Sequence, residues 1–163
     1  MGAVSIAVAL ILIITHRNHT QVQMPVDFNS AVAVAATQDD IDVLVPSQVP
    51  AGYAMTSARF EPETYGNATD MRWYLGYRTT SNDFISLWQS TVGVTRIVDA
   101  ALDGGQCAGA VNIAGHAWQR CANVKASDRA LATTIDDTTV VVSGTAAWQE
   151  LETFVGLLKP LAK

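Results

Sequence analysis

The sequence predicts an α+β fold, in which an antiparallel sheet of about five to seven strands, built from hairpins, packs against a C-terminal amphipathic helix and follows an N-terminal transmembrane helix. Three observations lead to this prediction. Pairs of alternating apolar and polar runs are separated by short polar turns, as in β-hairpins. Apolar residues repeat at helical spacing from Ala147 to Leu158. The run from Gly2 to Ile14 is apolar and carries no charge.

The apolar N-terminal run predicts a membrane anchor over residues 1–16. As a helix it would span about 20 Å, which is short for a hydrocarbon core of about 30 Å. A cleavable signal peptide is the alternative, because Ala31 and Ala33 have the spacing of a cleavage site, although they lie far beyond the run. We expect an uncleaved anchor. Arg17 alone would keep the chain that follows the span in the cytoplasm.

The chain then divides into a juxtamembrane linker with a short helix at residues 17–42 and a folded domain at residues 43–163. In the linker, Asp27 or Asn29 can cap an alanine-rich helix that ends near Ala36, because a side-chain oxygen there accepts amide hydrogens of the first turn. A domain of this length is expected to form a single hydrophobic core.

The domain begins with a short extended piece, a strand, a loop and a first hairpin. These are predicted at Val43–Val45, Tyr53–Phe60, Glu61–Asp70, and Met71–Arg78 with Phe84–Ser90. The loop prediction depends on a proline, a glycine and the lack of an apolar period. We expect Arg78 to face Phe84 in the hairpin. That register places Tyr74 opposite Trp88 on one face of the sheet.

The later elements are one ambiguous segment, two more hairpins and a terminal helix. The segment Val92–Leu102 has apolar residues at roughly helical spacing and ends at a glycine pair. The hairpins are predicted at Ala108–Ala114 with His116–Asn123 and at Ala130–Ile135 with Thr138–Ser143. Thr145 is predicted to cap the terminal helix, which ends at Pro160 and whose apolar stripe would cover the sheet.

The two cysteines, Cys107 and Cys121, flank the second predicted hairpin. A turn centred on Ala114 would place them opposite each other, which suits a disulfide in a protein exported from the cytoplasm. The bridge would close a loop of about 15 residues, which is worth about 3 kcal/mol in the chain-entropy model. Two unrelated buried thiols are the alternative. A zinc site is disfavoured because only His116 lies near them in the sequence.

Charge and motif content disfavour several classes of function. The formal net charge is −5, and nucleic acids are bound mainly through Lys and Arg, so nucleic acid is not an expected partner. The sequence has no GxSxG, GxGxxG, phosphate-binding GxxxxGK[ST] or HExxH motif. His116 is expected to be a turn residue rather than a general base. We therefore expect no cofactor, no metal site and no catalytic residue that the sequence identifies.

One face of the first hairpin gives the candidate binding site. It would carry Tyr74, Arg78, Phe84 and Trp88, and aromatic residues with arginine are typical of recognition surfaces. The alternative is that a helix of the same chain covers this face and that the four residues are part of the core.

Short motifs along residues 43–159 resemble a family of bacterial single-pass membrane proteins known as domain of unknown function 4245. The motifs are Val45-Pro46, Val49-Pro50-x-Gly52-Tyr53, Thr56–Phe60, Trp73–Tyr77, Ile85–Ser90, Gly115-x-x-Trp118, Arg129–Leu131 and Thr139–Thr145. The resemblance implies a short inner tail, one N-terminal span and an exported domain. The chain departs from the pattern in Tyr53 and Trp88, in its cysteine pair and in its very short inner tail, which suggests that the natural start lies upstream.

These observations lead us to expect a domain in the cell membrane, anchored by its N-terminal helix, with the folded part outside the cytoplasm. Its expected role is non-catalytic binding of an envelope protein or a wall component. Two alternatives remain at this stage: an enzyme with an unrecognised active site, and a structural or assembly factor for a membrane complex. The resembled family is uncharacterised, so it assigns no catalytic residue.

Overall fold

The computed structural model describes residues 26–38, 41–65, 67–123 and 125–161 of the 163-residue chain. The predicted anchor at residues 1–16 lies outside these ranges. No helix within them is long and apolar enough to cross a membrane. The described part is mostly antiparallel sheet with three helices, which confirms the predicted α+β class.

The strands of the described part form one large and one small antiparallel sheet. The strands are β1 (Leu44–Pro46), β2 (Ala54–Tyr65), β3 (Ala68–Arg78), β4 (Phe84–Ser90), β5 (Gln106–Ile113), β6 (His116–Asn123), β7 (Asp128–Ile135), β8 (Thr138–Gly144) and β9 (Leu158–Pro160). The helices are α1 (Phe28–Ala35), α2 (Val94–Leu102) and α3 (Trp148–Gly156). The large sheet has the order β2-β3-β4-β8-β7-β6-β5, and β1 pairs with β9 in the small sheet. Strands β2 and β5 are therefore the edges of the large sheet.

One face of the large sheet carries the larger of two hydrophobic clusters, to which α1, α3 and the small sheet contribute. Trp73, Leu75 and Tyr77 of β3 are fully buried there. Phe28 of α1 packs on Trp73 with ring centroids 6.4 Å apart, and Phe154 of α3 packs on Tyr77 at 5.4 Å. The helix predicted for the linker thus contributes to the core of the domain.

The opposite face is concave and holds α2, which buries Ile97, Val98 and Leu102 against β6, β7 and β8. Helix α2 lies within 8 Å, Cα to Cα, of both β2 and β6, which are first and sixth in the strand order. In a flat sheet these strands would be about 24 Å apart, whereas nine helical residues extend only about 13 Å. Because α2 lies above the sheet, most of each 8 Å contact separates the two layers and little is left as reach along the sheet. The sheet therefore curls toward α2, and we call this side the concave face.

The three predicted hairpins are present, and the register of the first is confirmed. Arg78 lies opposite Phe84, and Tyr74 lies opposite Trp88. Asp27 caps α1, because its Oδ1 accepts a hydrogen bond from the Ser30 amide at 2.9 Å. The ambiguous segment after β4 forms helix α2.

The prediction of a loop at Glu61–Asp70 is wrong, because β2 and β3 continue through most of this segment. Their pairing extends to Tyr65 opposite Ala68. Pro62 is compatible with a strand here because β2 is an edge strand, where a missing amide hydrogen need not break a ladder bond. This part of β2 consists mostly of charged and polar residues, so it lacks the alternation of apolar and polar residues that usually indicates a strand.

The predicted cap and end of the terminal helix are also wrong. Helix α3 begins at Trp148, after Ala147 as its N-cap, and no side chain caps it. The Thr145 hydroxyl instead accepts a hydrogen bond from the Phe84 amide at 3.0 Å and donates one to Asp83 at 3.1 Å. Thr145 thus joins the end of β8 to the start of β4. The helix ends at Gly156, and the residues before Pro160 form β9.

Candidate functional site

The four predicted binding residues all lie on the concave face, along β3 and β4. Tyr74 and Trp88 form one end of the group, and Arg78 and Phe84 form the other, next to the β3–β4 turn. Gly76 lies between the two ends, and the Phe84 ring extends over it, since a Cβ placed on Gly76 would be 3.1 Å from Phe84 Cζ. We call these four residues, together with Arg59 and Arg72, the concave strip.

Tyr74 and Trp88 form the centre of the strip. Their rings meet edge to face, with centroids 5.1 Å apart and planes at 87°. The Trp88 indole Nε1 donates a hydrogen bond to Ser86 Oγ at 2.8 Å, and Ser86 in turn lies 2.9 Å from the Ser143 hydroxyl. These contacts fix the orientation of the indole. Both rings remain partly exposed.

Two arginines stack on these rings. The Arg72 guanidinium lies 5.3 Å from the Tyr74 ring centroid and 5.1 Å from that of Trp88. Arg59 lies over Tyr74 at 5.8 Å. Such cation–π contacts contribute about 0.5–1 kcal/mol each at exposed sites and more where water is excluded. They hold both rings in place on the open sheet.

Arg72 is the buried member of the pair, and two carboxylates balance its charge. Its residue is only 8% exposed, and its guanidinium reaches Glu61 at 3.0 Å and Glu63 at 2.8 Å. A buried arginine requires such partners because an unpaired buried charge is costly. The Arg59 side chain is 53% exposed and lies 3.6 Å from Glu61. The strip therefore combines aromatic surface with charges of both signs.

Burial has a larger effect on the pKa of Tyr74 than the charged residues near it do. Burial raises the pKa of Tyr74, although Arg59, a hydrogen bond with Ser86, and Arg72 lower it in part. The phenol is therefore neutral at physiological pH and can donate a hydrogen bond to a ligand.

Helix α2 covers only part of the strip. Trp88 packs against the hydrophobic cluster beneath α2, and so do Val92, Val94 and Ala101. Arg78 is exposed, and Phe84 is partly exposed. The expectation that a helix of the same chain covers this face thus applies to one side of Trp88 and not to the strip as a whole.

Sequence reasoning missed Arg59 and Arg72. Arg72 is two residues before Tyr74, so strand periodicity alone would have placed it on the same face. Arg59 lies opposite Tyr74 across the β2–β3 ladder, and this pairing was hidden by the loop predicted for residues 61–70.

The structure contains the predicted disulfide between Cys107 and Cys121, which stand opposite each other in β5 and β6. The pairing has a different cause from the one predicted. The regular ladder near the turn would place Cys107 opposite Ala122, but β5 has one extra residue between Cys107 and Ala110. Gly109, with φ of +79°, lies in this β-bulge. The bulge shifts Cys107 into line with Cys121.

The other candidate catalytic or metal-binding side chains of the described ranges lie apart from one another. His116 is exposed and begins β6 directly after the turn at Ala114 and Gly115. Asp136 and Asp137 form the β7–β8 turn, both with positive φ. Among the described residues, no group of three or more His, Cys, Asp or Glu side chains is placed to hold a metal ion.

Comparison with known proteins gives a family match over nearly the whole chain. The sequence model of the family described as "Protein of unknown function (DUF4245)" matches residues 1–158. The chain belongs to the DUF4245 family. The resemblance noted over residues 43–159 is thereby confirmed, and the DUF4245 match also includes the N-terminal segment predicted to be an anchor.

The other comparisons add little to the DUF4245 match. No curated protein matches the sequence. Two chains from solved structures match, one of them in the crystal structure of MucB in complex with MucA(peri). That chain is 16% identical, and the match covers 76% of this chain and 39% of that one, with a TM-score of 0.40. This chain thus spans about two fifths of the length of the matched chain. At this TM-score, no conclusion about fold or function rests on the similarity.

Proposed function

We propose that this DUF4245 protein is a membrane-anchored domain outside the cytoplasm that acts as a non-catalytic binding module of the cell envelope. Its partner is an envelope protein or a wall component, bound close to the membrane. The concave strip carries this proposal, because partly exposed aromatic rings are held rigid there by arginines and serine hydroxyls.

The chemistry of the strip supports a role in binding. Tyrosine, tryptophan and arginine are enriched among residues that dominate binding energy at interfaces. Side chains that are already ordered lose less conformational entropy when a partner binds. Tyr74 and Trp88 are ordered by Arg72 and Ser86 in the free domain. The strip is thus pre-organised for contact with a partner.

The disulfide supports a location outside the cytoplasm. Structural disulfides persist in oxidising compartments and are rare in the cytosol, where thiols are kept reduced. The apolar run from Gly2 to Ile14 supports anchoring at the membrane.

The binding role is tested by crosslinking in cells that express the full-length protein. A photo-crosslinking amino acid at Arg78 should capture a partner. Arg59→Ala and Tyr74→Ala should each reduce capture at least tenfold, since hot-spot truncations cost about 2 kcal/mol or more. Capture that is unchanged in both variants would show that the strip is not the binding surface.

A matched control comes from a second arginine–tryptophan stack on the other side of the sheet. Arg120 lies 5.5 Å from the Trp148 ring centroid, and Trp148 packs on the core cluster of the opposite face. Trp148→Ala should leave capture unchanged, whereas Trp88→Ala should abolish it. Thermal unfolding of each purified variant is the control that tests whether the domain is still folded.

A further inference from the structure

The two edges of the large sheet differ in chemistry. Edge strand β2 carries Arg59, Glu61, Pro62 and Glu63, and charged residues and proline on an edge oppose pairing with another strand. Edge strand β5 has the sequence QCAGAVNI, without any charge or proline. Its first five residues are exposed. Among the described strands, none pairs with the outer side of β5. The β5 edge therefore lacks the charges and the proline that protect β2, and its bulge at Gly109 leaves the ladder regular from Ala110 to Ile113.

A groove lies beside the β5 edge on the concave face. It has a volume of about 410 Å³ and lies between the first turns of α2 and the strands β5 and β6. The helix lines it with Val94, Val98 and three polar residues, Thr95, Arg96 and Asp99, and the sheet lines it with Cys107 and Gln119. On this face β5 presents small residues such as Ala110, so a side chain arriving from beyond the edge can reach the groove.

The β5 edge is also rigid. The disulfide ties β5 to β6 near one end, and the two-residue turn ties them at the other. After the bulge, β5 continues in regular register from Ala110 to Ile113. A rigid edge loses little entropy when another strand pairs with it.

We propose that β5 binds an extended segment of a partner protein as an eighth strand of the sheet. Backbone hydrogen bonds to Ala110–Ile113 would hold the segment, and one of its bulky apolar side chains would enter the groove. This is β-strand addition, in which the edge supplies affinity and an adjacent pocket supplies selectivity. The surface is separate from the concave strip and does not depend on the function proposed for it.

The groove distinguishes a partner segment from a second copy of this chain. If β5 paired with β5 of another molecule, the side chains nearest the groove would be Ala110 and Asn112. These are too small or too polar to fill the apolar part of the groove, which Val94 and Val98 line beside the charged Arg96 and Asp99. Two copies would also each bring a net charge of −5. The fitting occupant is a segment with a bulky apolar residue between polar neighbours.

The test uses the full-length chain in detergent and a displayed library of random twelve-residue peptides. We expect the selected peptides to share a large apolar residue flanked at alternate positions by polar ones. Ala110→Lys should weaken the binding of these peptides at least tenfold, because it places a charge on the edge. Thr64→Lys, an exposed position on the other edge strand, is the control and should leave binding unchanged.

A second pair of variants tests the groove separately from the edge. Thr95→Trp would fill the groove and should weaken peptide binding at least tenfold. Ala100→Trp, exposed on the same helix but outside the groove lining, should have no effect. Protection of the Ala110–Ile113 amides from hydrogen exchange when peptide is bound would support strand addition directly.

Three results would overturn this proposal. The first is a library that yields no binding peptide. The second is binding that is unchanged by both Ala110→Lys and Thr95→Trp. The third is self-association of the wild-type chain, measured by sedimentation and lost in Ala110→Lys, which would make a second copy the occupant. Unaltered unfolding temperatures of the variants exclude misfolding as the cause of lost binding.

Discussion

At the scale of single residues, Gly144 controls how β8 meets β4. It has φ of +156°, and a Cβ at this position would lie 1.8 Å from the carbonyl oxygen of Phe84. That oxygen belongs to the backbone and cannot move aside as a flexible side chain would. The close approach also positions Thr145, whose amide donates to the same carbonyl at 3.1 Å.

We predict that Gly144→Ala lowers the free energy of unfolding by at least about 3 kcal/mol, because the strands must separate to admit the methyl group. Gly156→Ala is the control. Gly156 lies in helix α3 with only Ile113 Cγ2 at 4.0 Å from an added Cβ, so alanine there should raise stability by up to about 1 kcal/mol. Urea unfolding measures both. Equal stability of the wild type and Gly144→Ala would contradict the geometry.

Two buried or partly buried tyrosines should respond oppositely to loss of the hydroxyl. The Tyr77 hydroxyl is buried without a hydrogen-bond partner in the described structure, whereas the Tyr53 hydroxyl donates to Glu150. Tyr77→Phe should therefore leave the free energy of unfolding unchanged or raise it by up to about 1 kcal/mol. Tyr53→Phe should lower it by about 1 kcal/mol. Urea unfolding at neutral pH distinguishes them, and a clear loss of stability in Tyr77→Phe would reveal a partner.

From the environment of Tyr77 we also predict that the domain loses stability at high pH. Burial raises the pKa of Tyr77 from 10.0 to about 12 in the folded state. Its contribution to stability is complete below pH 10 and is lost as the pH rises toward 12, because the unfolded chain releases the proton first. The stability of Tyr77→Phe should fall less over this range than that of the wild type. Parallel curves for the two proteins would contradict this prediction.

At the scale of elements, the β5–β6 hairpin is fixed by its disulfide, and its two sulfurs differ in environment. Cys107 is exposed, whereas Cys121 is fully buried in the apolar cluster beneath α2. A reducing thiol would attack the accessible Cys107 sulfur and leave a thiolate on Cys121. A buried thiolate in apolar surroundings is unfavourable, so reduction in the folded state should be slow.

We predict that the native protein keeps this disulfide in mild reductant and loses it once denaturant is added. The double variant Cys107→Ala with Cys121→Ala should be less stable by about 3 kcal/mol, as expected for a sequence separation of 14 residues. Mass spectrometry after alkylation follows reduction, and urea unfolding measures stability. Rapid labelling of both thiols in the folded protein would show that Cys121 is not protected.

The hairpins were predictable because alternating apolar residues and short turns are local signals. The β3–β4 register, for example, followed from the five-residue turn alone. The long β2–β3 pairing was not predictable, since Glu61, Pro62 and Glu63 resemble a loop unless the edge position of β2 is known. The bulge was not predicted either, although Gly109 inside a strand is a signal for one, because the two cysteines already lay opposite each other about a turn centred on Ala114.

At the scale of the whole molecule, the curl of the sheet decides which surfaces remain available. One face is covered by α1, α3 and the small sheet, while the single short helix α2 occupies only part of the concave face. Tyr74, Arg78, Phe84 and Trp88 could be assigned to one face from the hairpin register. How much of that face α2 covers depends on the curvature of seven strands together, which no local pattern specifies.

Our central proposal is that this DUF4245 protein is a disulfide-bonded domain that functions outside the cytoplasm. The most direct test is the redox state of Cys107 and Cys121 in living cells. Cells are quenched in acid, and the denatured protein is alkylated with a high-mass maleimide before and after reduction. We predict no adduct before reduction and two adducts after it. Two adducts without reduction would place the domain in a reducing compartment and contradict the claim.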